Sequence, residues 1–317
     1  MADDTSDAPH LVGTVLDHVA HAVPRWDDVW RRYATDLGAA WASGGPGPGF
    51  APGQLRFANG ARVEVLMPWD TGVNDFLARF LAHNGPGPHH LTFKVPSIDD
   101  AIDGARRFGI EPVNIDTSDP EWKEAFLHPK EAGGVVVQLA EAAHAWSSPP
   151  PDDYPTDRRL RLDGSGPAAP AALERVCHVV ADLDAARALF GGLLAGETVD
   201  EGAADGIRWV DLRWAGPLGL RLVGAEDPDA AGPVPEWLGG RPGRVHHLAF
   251  AVEEPDGVPG ARPAVPGIAT LGPGSGTERM FEVPADANSG LGIVLAGPGG
   301  SDVPGGSDGP PIGGPVA

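Results

Sequence analysis

Residues 14–23 alternate apolar and polar positions with the two-residue period of a strand, and after Pro24 the stretch 26–37 turns to helical periodicity. Segments 54–57 and 62–67 read as strands on either side of the turn Asn59-Gly60. The order then repeats. Residues 89–95 form a strand, and 97–108 a helix capped by Ser97 with Asp100 in its first turn. Strands follow at 112–115, 124–127 and 135–139. Strand, helix and several strands, twice over, predict an α+β domain.

A larger repeat overlies this one. LDHVAHAV at 16–23 matches LERVCHVV at 173–180, and HHLTFKV at 89–95 matches HHLAFAV at 246–252. The chain is a tandem duplication. Two stretches lack periodic apolar positions: 147–170, which contains SSPPPDDYP and DGSGPAAP, and the Gly/Pro-rich end. The expected organisation is a first domain at 9–146, a linker at 147–170, a second domain at 171–297 and a disordered tail at 298–317. At 317 residues, two domains of ordinary size each have enough chain to bury a core of their own.

Alternation along four strands of the first half places His18, Glu64, His90 and Gln138 on one face, with Val19, Val63, Val65, Leu91, Phe93, Val137 and Leu139 on the other. The apolar face is expected to meet the helices. The polar face is expected to line a pocket in which Ala20, Ala22 and Thr92 leave room for a ligand. Each repeat unit supplies one His and one carboxylate or amide at nearly equal offsets, so a pseudo-two-fold brings the four together. Two imidazoles with an anionic oxygen and an amide oxygen suit Mn, Fe, Co, Ni or Zn, leaving positions open for substrate or water. A carboxylate on an otherwise apolar strand also needs a partner. The adjacent His89 is expected to pack or to support His90, and His21, His83 and His178 to be buried structural histidines.

Composition narrows the chemistry. The single cysteine, Cys177, rules out an intramolecular disulfide and leaves any metal site to His and oxygen donors. A formal charge of -21 opposes binding to nucleic acid or to anionic membranes. There is no apolar run of spanning length, and the acidic start MADDTSDAPH lacks the features of a secretory signal, so a cytoplasmic protein is expected. The expected partner is a small-molecule substrate.

The segments ARVEVLMP, HHLTFKVPSIDDAI and EAFLHPKEAGGVVVQLAE resemble the vicinal-oxygen-chelate superfamily, most of all its methylmalonyl-CoA epimerase branch, over residues 14–141. The resemblance implies tandem domains, each a pair of βαβββ units forming a curved mixed sheet with helices on the convex face. It implies a divalent metal held at His18, Glu64, His90 and Gln138, with Gln and Glu exchanged relative to that branch. It also implies isomerase chemistry through a metal-stabilised enolate. GQLRFANG carries Gln54 and Arg56 where that branch would place a catalytic Glu, so Lys94, Glu124 and His128 are the candidate acids and bases. Trp122 and Lys123 fall in SDPEWKEAF, read as a loop able to cover the pocket, and HPKEAGG reads as a turn that presents Lys130. The same superfamily offers two other readings: an Fe(II) ring-cleaving dioxygenase or glyoxalase-type lyase, and a small-molecule binding or resistance protein without turnover. Two-domain dioxygenases of this layout normally keep their iron in the C-terminal half.

Here that half is degenerate. Arg175, Arg221, His247 and Val294 replace His18, Glu64, His90 and Gln138, and two guanidiniums repel a cation. Ion pairing of each Arg with local acids is preferred over capture of an anion. After HHLAFAV the expected helix gives way to the Pro-rich EEPDGVPGARPAVPG.

Overall fold

Period-two alternation forms two curled sheets of the same design in the computed structural model, which describes residues 11–144, 147–148, 167, 169–265, 267–270 and 280–297. The first sheet contains β1 (Val15–Ala22), β2 (Ala40–Gly44), β3 (Gly49–Arg56), β4 (Arg62–Trp69), β5 (Gly87–Lys94), β6 (Val113–Asp119), β7 (Trp122–Leu127) and β8 (Val136–Ala142). Their order is β2-β3-β4-β1-β5-β8-β7-β6. The central strands β1 and β5 are antiparallel, and each has a parallel outer neighbour, β4 and β8. The sheet is therefore a pair of like units meeting at its middle.

The second sheet repeats the plan with β9 (Ala172–Val180), β10 (Glu197–Ala204), β11 (Ile207–Arg213), β12 (Gly219–Ala225), β13 (Gly243–Ala251), β14 (Arg262–Pro263), β15 (Met280–Val283) and β16 (Gly292–Ala296). Its order, β10-β11-β12-β9-β13-β16-β15-β14, matches the first position for position. This is the tandem α+β architecture expected from the repeat. Most of the expected linker, and the expected tail at 298–317, lie outside the described residues.

Helices are few. Helix α1 (Phe76–Asn84) was not expected, and helix α2 (Ile98–Arg107) has the expected cap, with the Ser97 side chain accepting from the Asp100 amide at 3.2 Å. Instead of one helix over 26–37 there is a short 3-10 turn, Trp26–Asp28, and a π-helical segment, Arg31–Asp36. Val29 leaves the helical region at φ -135°. Side-chain packing explains the break: Trp26 stacks on Trp41 at 6.2 Å and Trp30 reaches the same ring at 6.0 Å. After β13 the described residues of the Pro-rich segment form the turn Pro255–Gly257 and the two-residue strand β14 but no α-helix, as its prolines require.

The expectation of a separate core in each half needs correction. Buried apolar side chains of both halves form one contiguous core, in which Phe57 meets Phe250 at 4.9 Å and Phe93 meets Trp214 at 5.2 Å. These two contacts are equivalent under the repeat. So are two hydrogen bonds made across the halves by buried histidines: His21 Nε2 to the Ser289 carbonyl at 2.9 Å, and His178 Nε2 to the Gly133 carbonyl at 2.8 Å. Beside them Gly134 lies so close to Gly243 that a Cβ would strike its backbone, and Gly290 lies likewise against Pro86. The sheets' apolar faces, too large to be covered by one half's few helical turns, cover each other.

Candidate metal centre

Strand alternation sorts the first sheet's faces as expected. Val19, Val63, Val65, Leu91, Phe93, Val137 and Leu139 all belong to the shared core. On the other face β1 and β4 set Ala20 opposite Glu64, β1 and β5 set His18 opposite Thr92, and β5 and β8 set Thr92 opposite Gln138. The space beside Ala20 and Ala22 is not free for a ligand. Helix α1 fills it with Leu77, which is wholly buried against Leu66.

Two bulges refine the geometry. Between Leu16 and His18 strand β1 advances two residues while β5 advances one, so Asp17 is extra; between Val19 and His21 the surplus lies on β5, around His89 and His90. A bulged residue escapes strict alternation and re-aims its side chain. Asp17 accordingly turns its Oδ2 to His18 Nδ1 at 2.8 Å, and His89 Nδ1 meets His90 Nδ1 at 2.8 Å. Phe80 of α1 packs on the His89 ring at 4.6 Å. His89 is thus the packed support of His90.

The three donors converge. Glu64 Oε2 lies 3.7 Å from His18 Nε2 and 3.5 Å from His90 Nε2, and ligand atoms of all three residues lie within 4.8 Å of one another. Donors bound about 2.1 Å from a single metal are about 3.0–3.4 Å apart, so this set suits a divalent ion with little adjustment. His90 Nε2 supplies an independent sign: it is buried and has no hydrogen-bond partner among the described residues. Second partners orient the first. Asp17 holds His18 through the other ring nitrogen, and Gln54 Nε2 reaches Glu64 Oε1 at 3.4 Å.

Charges follow from this arrangement. Burial acts against charging His18, but Glu64 and Asp17 outweigh it and raise its pKa to about 9. Burial likewise favours the neutral acid at Glu64, yet His18 and His90 hold it down at about 2. At His90 burial wins, helped by His89 and His18 against Glu64, and lowers the pKa to about 3. The result is an ionised Glu64 and a neutral His90, the states a metal takes, beside a His18 that carries a proton and must give it up for a metal to bind.

Gln138 stands one hydroxyl away: Thr92 Oγ1 donates to Gln138 Oε1 at 2.6 Å and lies 2.9 Å from His18 Nε2. Gln138 Nε2 donates to Glu124 Oε2 at 2.7 Å, and Trp122 Nε1 donates to the same oxygen at 2.8 Å. Lys94 lies 3.6 Å from Asp17 and 5.9 Å from the Trp122 ring centre. The structure therefore brings Glu124 and Lys94 to the margin of the donor set. His128 is not drawn in; it sits in an exposed turn and accepts from the Lys130 amide. Trp122 and Lys123 begin strand β7 instead of forming a loop, because Trp122 is pinned to Glu124 and Lys123 to Glu141 at 2.8 Å. His83 is exposed, whereas His21 and His178 are fully buried as expected. Asp17 was not among the residues expected from sequence, and an acidic residue next to a strand histidine was the available signal.

In the second half the equivalent place is filled by an ion pair. Arg221 Nε and Nη2 grip Asp211 Oδ1 and Oδ2 at 2.6 and 2.5 Å, and Arg175 approaches Oδ2 at 3.4 Å. Asp211 stands across from Arg221 as Gln54 stands across from Glu64. Ion pairing of these arginines is the arrangement preferred from sequence.

A family model described as a glyoxalase-like domain matches residues 16–194, more than half of the chain. Human mitochondrial methylmalonyl-CoA epimerase is 31% identical over 132 residues, spanning 40% of this chain and 73% of that protein. The bovine enzyme of the same name is 30% identical over 132 residues, 40% of this chain and 74% of its own. Among solved structures, methylmalonyl-CoA epimerase from Mycobacterium tuberculosis is 28% identical with a TM-score of 0.37, covering 41% of this chain and 89% of that one. A mutant of 4-hydroxymandelate synthase from Streptomyces coelicolor matches almost end to end, with a TM-score of 0.58 over 92% of this chain and 96% of that one at 15% identity, a likeness of fold. With both sheets and the donor face in view, the chain belongs to the glyoxalase-like family within the vicinal-oxygen-chelate superfamily, as a tandem fold whose first half is epimerase-like.

Proposed function

We propose that the first half is a metal-dependent isomerase of the epimerase type, with one divalent ion held by His18, Glu64 and His90 and completed by Gln138 once Thr92 releases its amide oxygen. The buried His90 Nε2, without a hydrogen-bond partner among the described residues and 3.5 Å from the Glu64 carboxylate, carries this reading. A divalent ion bound there supplies a Lewis acid for a substrate carbonyl, making the adjacent carbon more acidic. The chain's own part is to place a base beside that carbon. Glu124 serves: two hydrogen bonds to Oε2 fix its carboxylate, and Oε1 is left to take the proton from one face of the α-carbon and pass it to solvent, while inversion is completed by a proton delivered from solvent to the opposite face. Lys94, tethered to Asp17, keeps positive charge at the mouth for an anionic substrate group. Similarity to methylmalonyl-CoA epimerases supports an acyl thioester as the substrate.

Metal analysis and solvent-deuterium exchange test the assignment together. The native chain is expected to hold about one transition metal, and His90→Ala to lose it. Glu124→Gln is expected to keep the metal while exchange at the substrate's α-carbon falls by roughly 10²–10⁴-fold. A metal-free native protein would sink the proposal, and full exchange in Glu124→Gln would remove its base. The same donors also form a two-histidine, one-carboxylate set suited to Fe(II). Oxygen uptake with catechols and no isotope exchange would move the assignment to a dioxygenase.

A further inference from the structure

Where the halves meet, a cavity of about 420 Å³ is walled by the end of α1, the starts of β5 and β8, and the segment leading into β13. Its titratable lining residues are His83 and His89 from the first half and Arg241 and Arg244 from the second. None is acidic, although the chain has 44 acidic and only 23 basic residues. Among the described residues no carboxylate lies within ion-pair distance of either guanidinium: Arg241 reaches only the Leu238 carbonyl at 3.3 Å. Arg244 is half-buried, and its Nη2 lies where a side chain at Gly87 would come within 3.1 Å of it. Two arginines side by side repel, so placing both in one recess without an acid favours whatever anion enters it.

The recess borders the proposed active centre. His89, which lines it, touches His90, and Val136 on its wall lies opposite His90 in the β5–β8 pairing. Gly87, which lines the recess with Arg244, is three residues from His90, about 10 Å along the strand. We infer that this cavity binds a second, anionic group of the substrate, a phosphate or a carboxylate, while its reacting carbonyl lies at His18, Glu64 and His90. The metal-free half would then serve the reaction by supplying the guanidiniums. This inference rests on the isomerase reading for its orientation, but its ligand chemistry can be tested separately.

Calorimetric titration of the full chain with inorganic pyrophosphate and with succinate, run in parallel with metal analysis, makes that separation. The expected result is binding of at least one probe to the native chain, persistence in His90→Ala, and weakening by about tenfold or more in the Arg241→Gln/Arg244→Gln double variant. Metal content should be unchanged in the double variant. Arg244→Gln alone, expected to weaken binding by a smaller factor, guards against a folding defect in the pair. Preference for pyrophosphate identifies a phosphate-bearing substrate, and preference for succinate a carboxylate. Equal affinity in the double variant, loss in His90→Ala instead, or no binding of either probe to the native chain overturns the inference. Absence of metal from the native chain would count against the isomerase reading alone.

Discussion

The two halves present the same backbone to opposite chemistry. His247 stands where His90 does, at a bulge of the same kind, and its Nδ1 meets His246 Nδ1 at the same 2.8 Å as in the His89–His90 pair. Around it three positions differ: Glu64 becomes Arg221, which reverses the charge there, His18 becomes the permanently charged Arg175, and the neutral Gln54 becomes Asp211. Burial, His246 and the two arginines push the His247 pKa well below the usual histidine value, with no counterpart of Glu64 to oppose them. Shape alone, then, does not make a metal centre. The strands deliver four side chains to one spot, and their identities decide whether the spot takes a cation or closes as an ion pair.

The largest expected effect tests whether that ion pair is structural. Arg221→Ala leaves Asp211 buried without its bidentate partner and should lower stability by about 3–5 kcal/mol in chemical denaturation, whereas Arg221→Met with Asp211→Leu should be close to neutral. A loss under about 1 kcal/mol for Arg221→Ala would mean that the pair does not replace the metal site's structural role.

Next in size is a pH effect shared by both halves. Burial lowers His21 and His178 to a pKa of about 4, so the unfolded chain takes up these protons first as pH falls below about 6.5. Stability is therefore fully present above that pH and is lost between about 6.5 and 4, by a few kcal/mol in total. Melting temperature against pH should show this fall. Replacing one of the two with Gln should remove part of the acid slope, and an unchanged slope would show that these bonds do not titrate with unfolding.

The smallest effect separates the halves again. Asp17→Asn weakens the hold on His18 Nδ1 and should reduce metal affinity by about 10–100-fold with little change in melting temperature. Glu174→Gln, at the equivalent place in the second half, should leave metal affinity untouched. Equal effects of the two would erase the proposed distinction.

The donor face of the first half was legible in the sequence because alternation is a local signal. His18, Glu64, His90 and Gln138 share a face through nothing more than strand period and repeat spacing. Asp17 and His89 were harder to place, since a bulge shifts a side chain out of register without marking the sequence. Helix α1 was missed and the helix over 26–37 overstated because packing settled both. Leu77 fills the space beside two alanines, and three indoles draw the 26–37 segment out of helical geometry.

By itself the sequence determined what depends on neighbours along the chain: the strands, the cap at Ser97, the duplication, and the kinds of side chain offered on each face. Only the tertiary structure decided what depends on residues far apart. It merged the halves into one core, crossed His21 and His178 to opposite halves, paired Arg221 with Asp211, and set Arg241 and Arg244 beside the first half's histidines. The physical reason is that a local period fixes which way a side chain points, while its partner is chosen by sheet register and by the closing of one half on the other.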